Sequence, residues 1–218
     1  LEVLEDRFED RAVLFFTEYK TTQAALMSAL MKRYGEDCVT FINGDERLDS
    51  VELPNGQYGV RSIDRADAAD LFNEGKVRFL VSTEAGGEGI DLQRRCYSLI
   101  HVDLPWNPMR LHQRVGRLDR YGQKHAVDVV TIRNPDTVES RIWDKLNAKL
   151  ERITKALGSA MDDPEDLLQL VLGMSSSTVF TELFSGAHAV SEDRLDGWFD
   201  EKSTTFGGQS AIDTIKSM

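Results

Sequence analysis

Val77-Arg78-Phe79-Leu80-Val81 runs without a break into Ser82-Thr83-Glu84-Ala85-Gly86-Gly87-Glu88-Gly89-Ile90-Asp91-Leu92. A short apolar run of this kind reads as a strand buried on both faces, as in a parallel sheet. The glycines that follow it, Gly86, Gly87 and Gly89, permit a tight turn or a close approach of backbone to a ligand. Taken alone they describe either. The turn is neither a Walker A loop nor the G-x-G-x-x-G dinucleotide fingerprint.

Working outward, four similar runs predict strands at 12–16, 38–42, 98–103 and 126–132, beside the one at 77–81. Helical patterns lie between them. Residues 22–34 place Ala25, Leu26, Leu30, Met31 and Tyr34 on one face, with Thr21 or Thr22 as the N-cap. A second helix spans 64–74, capped by Asp64 and stopped by Gly75. A third runs over 108–121, with Pro108 in its first turn and Gly122 after its end. Such alternation predicts an α/β domain with right-handed crossovers. Residues 45–62, which contain Pro54, Gly56 and Gly59, read as an inserted loop or small hairpin. A long helix is expected at 137–157, its stripe being Val138, Ile142, Leu146, Leu150, Ile153 and Leu157.

Charge divides the chain more sharply than composition does. The net charge of −11 argues against a general nucleic-acid binder. Residues 159–218 hold 11 acids and 3 bases, whereas residues 110–124 carry Arg110, Arg114, Arg117, Arg120 and Lys124 against Asp119 alone. We therefore expect a domain at 1–158 with a local positive surface, and an acidic, mainly helical extension at 159–218 with a partly flexible end. Hydrophobic residues make up 41% of the chain, enough for a sizeable core. No apolar run approaches the ~20 residues of a membrane span. Cys38 and Cys96 suggest no disulfide framework, Cys38 reads as a small buried hydrophobe, and neither shares metal-ligand spacing with a histidine. We expect a cytoplasmic protein with no membrane partner and no metal site of its own. Because the chain opens on Leu1, it is expected to be a segment of something longer.

The chemistry is expected in Gln113-Arg114-Val115-Gly116-Arg117-Leu118-Asp119-Arg120-Tyr121-Gly122-Gln123. On a helix, Arg117 and Arg120 share a face near its end. Two guanidinium groups there suit phosphoryl transfer, where negative charge spreads over equatorial oxygens. Arginine stays charged and grips two oxygens in one plane. Gly116 would let the helix approach a neighbour closely. Arginines three apart also describe a plain solvated basic helix.

Together with the linking block His101-Val102-Asp103-Leu104-Pro105-Trp106-Asn107-Pro108, the two stretches resemble the C-terminal RecA-like lobe of superfamily 2 helicases, in the Swi/Snf branch. The glycine-rich run resembles motif V, and Gln113 to Gln123 resembles motif VI. Val13 to Thr17 resembles motif IV, and Asn43-Gly44 the glycine-containing motif after the second strand. The resemblance covers roughly residues 9–157. Eukaryotic remodellers carry Arg-Ala-His-Arg in motif VI. The Gly116-Arg117-Leu118-Asp119-Arg120 found here is closer to bacterial members, including the RNA-polymerase-associated ATPase of this branch.

The resemblance implies a RecA-like doubly wound, mainly parallel sheet with helices on both faces and a C-terminal helical appendage. It implies roles residue by residue. Arg117 and Arg120 fall on the arginine fingers, and Gln113 on the glutamine near the γ-phosphate. Gly87, Glu88 and Asp91 lie where motif V approaches the ATP ribose. Thr83, Gly44 and Arg65 fall on nucleic-acid phosphate contacts. Trp106 matches an aromatic that reaches DNA, its other reading being a core or hinge tryptophan. The sequence holds neither G-x-x-x-x-G-K-[ST] nor a DEAH-type box. The resemblance puts both, with the Mg²⁺ site, on an upstream RecA-like lobe of the same polypeptide. The implied activity is that of an ATP-dependent translocase on double-stranded DNA, with this lobe inactive alone. The alternative is a non-catalytic interaction module that docks DNA or protein partners. The acidic extension reads either as a charged solvated face or as an element that docks a protein partner or restrains the motor.

Overall fold

The computed structural model describes residues 2–84, 89–105, 108–157 and 177–203. Two compact units emerge, one of residues 1–105 with 111–132, the other of 106–110 with 133–218. This division follows packing, whereas the one at 158 follows composition.

In the first unit, strands β1 (Val13–Thr17), β2 (Val39–Ile42), β5 (Phe79–Thr83), β6 (Ser98–His101) and β7 (Asp128–Thr131) form one sheet in the order β2-β5-β1-β6-β7. Every pairing is parallel. All five predicted strands are present, and β1, β2, β5 and β6 are buried at every position. Alternation along β1 splits the core in two. Val13 and Phe15 join the cluster under α2 (Lys20–Tyr34), with Leu4 and Phe8 from the N-terminal segment beginning at α1 (Glu2–Arg7). Leu14 and Phe16 join the opposite cluster under α3 (Arg65–Asn73), with Ala68, Phe72 and Leu118. Each large side chain so buried contributes about 1.5–3 kcal/mol relative to exposure. This is the doubly wound, RecA-like parallel architecture expected.

Helix α3 keeps both of its predicted signals. The Asp64 carboxylate accepts from Ala66 N–H at 2.7 Å, and Gly75 turns the chain at φ +77°. Helix α2 differs. It begins at Lys20 after Tyr19, with no side-chain cap, so Thr21 and Thr22 lie inside it. Its buried residues are Gln23, Ala24, Met27, Leu30 and Met31, while Ala25 is exposed. The face is turned because Gln23 is a core residue. Its amide donates to Ile42 C=O at 3.0 Å and Val81 C=O at 2.8 Å, and its Oε1 accepts from Asn43 at 3.1 Å. A buried amide with those partners carries no unmet desolvation cost.

The 45–62 insert is a hairpin, β3 (Arg47–Glu52) and β4 (Tyr58–Ser62). A register shift between Leu48 and Val51, with Ser50 at φ +60°, lets both apolar side chains face the α2 cluster. The extra residue of a bulge does this by offsetting the strand's two-residue period. Cys38 is half-buried rather than buried, and burial raises its thiol to about 11; that of Cys96 rises to about 12. Both remain protonated thiols at neutral pH.

The second unit is built on α5 (Val138–Leu157), α6 (Ser177–Ala187) and α7 (Leu195–Lys202). Ile142, Trp143 and Leu146 of α5 are buried, as are Leu183, Phe184, Leu195 and Phe199, and the Trp143 and Phe184 rings lie 6.1 Å apart. Among the described residues, no helix is long and apolar enough to cross a membrane.

Candidate nucleotide-facing site

Strand β1 lies between β5 and β6. The chain leaves β1 toward one edge of the sheet and later crosses to the other. Ligands of open α/β sheets bind outside the carboxyl ends of strands where the order reverses in this way. Here those ends carry Thr17, Thr83 and His101, the first two paired in register. Asp103, just beyond β6, holds the exit of β1. One carboxylate oxygen accepts from Thr17 Oγ1 at 2.6 Å and from Glu18 N–H at 2.8 Å.

Arg114 is the centre of this edge. Its side chain is 1% exposed, with Nη2 lying 3.5 Å from Glu84, 3.6 Å from Asp103 and 3.9 Å from Glu18. Nη1 donates to Asp103 C=O at 3.2 Å, and the guanidinium lies over the Phe16 ring. Arg114 thus leaves the expected positive surface and becomes an internal tie between three strand ends and α4 (Pro108–Val115). Sequence reasoning missed it, although a signal was present. Leu111, Arg114, Val115 and Leu118 have the spacing of one helical face, so the arginine sits in an apolar stripe. His101 beside it is pushed down to about 3 by burial and by the Arg114 charge. It is therefore neutral near pH 7.

The predicted helix over 108–121 stops at Val115. Arg117 N–H and Leu118 N–H bond three residues back, at 3.2 and 2.9 Å, and the chain tightens into a turn. Two causes act together. Gly116 is a poor helix residue, and Leu118 is drawn fully into the α3-side core. Arg117 and Arg120 are therefore carried by a turn, not by one face of a helix. Gly116 does not serve a close approach either, since an added Cβ would meet only the carbonyls of His112 and Gln113.

The turn still brings predicted residues together. Arg120, exposed, pairs with Asp91. Asp91 is in turn held through its carbonyl by Asn73 of α3 at 2.9 Å. Arg117 is half-buried, and among the described residues its guanidinium has no hydrogen-bond or ion-pair partner. Gln113 is exposed on α4. Thr83, at the end of β5, is only 6% exposed. Gly44 lies in the exposed turn after β2, shaped by buried Asn43, whose Oδ1 accepts from Asp45 N–H at 3.1 Å. Arg65 opens α3, which packs against β2. Gly87, Glu88 and Trp106 lie outside the described residues.

A second residue that sequence reasoning left unassigned is Gln123, which braces the arginine turn. Its Nε2 donates to the carbonyls of Cys96 at 3.0 Å, Leu118 at 3.2 Å and Gln93 at 3.4 Å.

The family described as "Helicase conserved C-terminal domain" matches residues 1–122. An uncharacterized ATP-dependent helicase of Bacillus subtilis (strain 168), YqhH, is 40% identical over 154 residues, covering 71% of this chain and 24% of that protein. The RNA polymerase-associated protein RapA of Vibrio campbellii (strain ATCC BAA-1116) is 33% identical over 129 residues, 59% of this chain and 12% of that protein. The crystal structure of the C-terminal part of the Fun30 ATPase domain aligns at a TM-score of 0.48 and 24% identity, over 65% of this chain and 40% of that one. The chain thus spans about a quarter or less of the curated relatives named here.

Proposed function

The chain belongs to the helicase C-terminal domain family, and from that premise we propose that it is the second motor lobe of a cytoplasmic, ATP-dependent translocase on double-stranded DNA. One observation carries the reading. Arg117 is a half-buried guanidinium with no partner among the described residues, on a turn whose other arginine, Arg120, meets Asp91. An unspent, always-charged donor fork on that turn fits a phosphate.

In this reading ATP and its Mg²⁺ sit on an upstream RecA-like lobe of the same polypeptide, and the bound nucleotide supplies the phosphoanhydride to be cleaved. Arg117 and Arg120 approach its terminal phosphate when the lobes close. Gln113 orients beside them. Asp91, with Gly87 and Glu88, faces the ribose. Thr83, Gly44, Arg65 and Trp106 meet backbone phosphates of the nucleic acid, a grip that salt weakens. Closure and reopening move that grip stepwise. The acidic segment after residue 158 docks a protein partner or restrains the motor.

The expected result with the purified chain alone is weak ATP binding and no DNA-stimulated hydrolysis, measured by phosphate release with and without duplex DNA. Hydrolysis at the rate of the two-lobe protein would contradict the assignment.

A further inference from the structure

We propose that Gln123 is a positioning residue for the arginine turn, an inference that rests on the arginine-finger reading above. One planar amide lies within hydrogen-bond reach of five backbone groups, its two N–H donors shared among three carbonyls. Besides the three carbonyls that Nε2 meets, Oε1 accepts from Lys124 N–H at 2.9 Å and His125 N–H at 3.0 Å. In the reverse direction Gln93 Nε2 donates to Tyr121 C=O at 3.4 Å. The turn over 116–122 is thereby joined to the segment over 91–96, which carries Asp91, the partner of Arg120.

Two of the carbonyls are fixed points. Leu118 and Cys96 are fully buried in the α3-side core, and the Cys96 thiol is also held by Ala12 C=O and Ser98 C=O. Tyr121, by contrast, is completely exposed and contributes no packing. Between the buried Leu118 and residue 123 side-chain packing does not hold the chain; the Gln123 amide does, beside the exposed Arg120–Asp91 pair and the Gln93 bond to Tyr121 C=O. Only glutamine has the reach, with donors and an acceptor on one plane. An ionised glutamate would turn a carboxylate toward three carbonyl oxygens. Methionine keeps the length and loses every bond.

Arginine fingers act on charge that develops in the transition state, so displacing them lowers kcat and leaves ground-state binding alone. A misplacement of about 1 Å is worth up to ~10²-fold. The test uses the full two-lobe protein and compares Gln123→Met, Gln123→Glu and Arg117→Ala, with thermal melting to confirm folding. The expected result is a fall in kcat for ATP of ~10–10²-fold in both Gln123 variants, with KM for ATP and affinity for duplex DNA unchanged. Gln93→Met, which removes only the bond to Tyr121 C=O, gives a smaller fall of the same kind and serves if the Gln123 variants do not fold. Unchanged kcat in the folded variants overturns the proposal, as does a parallel loss of kcat and DNA binding. If Arg117→Ala itself keeps wild-type turnover, the arginine-finger reading fails. If Arg117→Ala is dead and Gln123→Met fully active, only the positioning role fails.

Discussion

Replacing Arg117 or Arg120 with alanine is expected to cut ATP turnover of the two-lobe protein by at least ~10²-fold, with duplex-DNA binding largely intact. The two positions reach that result differently. Arg117 is without a partner among the described residues, so its truncation removes a donor fork and little else. Arg120 is on Asp91 in this structure. Both side chains of that pair are substantially exposed, and an exposed ion pair is worth only ~0–1 kcal/mol. Asp91 can therefore hold Arg120 in place at little cost to its transfer onto a phosphate. Lysine at either position restores charge but not the planar two-oxygen grip, so Arg117→Lys should recover only a small part of the rate. Steady-state phosphate release and DNA-binding anisotropy check this. Wild-type turnover in both alanine variants would remove the arginine assignment.

Arg114→Met should destabilise the domain strongly. The guanidinium is 1% exposed and faces Glu18, Glu84 and Asp103, each about a quarter exposed. Methionine would fill much of the space and leave three carboxylates converging on an apolar pocket beside Phe16. Removing one partner of a buried charge cluster costs about 3–5 kcal/mol, chiefly through the charge left behind. Arg114→Lys keeps the charge but loses the fork that spans several acceptors, so it should be destabilised less than the methionine variant. Urea unfolding of the chain measures both. A midpoint for Arg114→Met equal to that of wild type would show that the cluster holds nothing together.

Much of the fold was legible because its signals are local. Five Val-, Ile- and Phe-rich runs became five parallel strands, and α3 kept both its Asp64 cap and its Gly75 stop. What sequence reasoning misjudged was set by distant partners. Gln23 turned the face of α2 because carbonyls from two other strands receive its amide. Arg114 was read as surface charge because its carboxylates lie 11, 30 and 96 residues away in the chain. The end of α4 was lost to competition between helix continuation and burial of Leu118, which only the assembled core decides. Motif spacing singled out Asp91 and Arg120 separately, without showing that they meet. Gln123 was visible as the last residue of the same stretch, but its role depends on carbonyls contributed by residues 93 and 96.

The most direct measurement is a structure of the two-lobe protein closed on duplex DNA with ADP and a metal fluoride in place of the transferring phosphoryl group. The expected result is Arg117 and Arg120 both within ~2.7–2.9 Å of the fluoride group, with Arg120 gone from Asp91. A closed complex in which Arg120 stays on Asp91 and Arg117 points away from the nucleotide would contradict it.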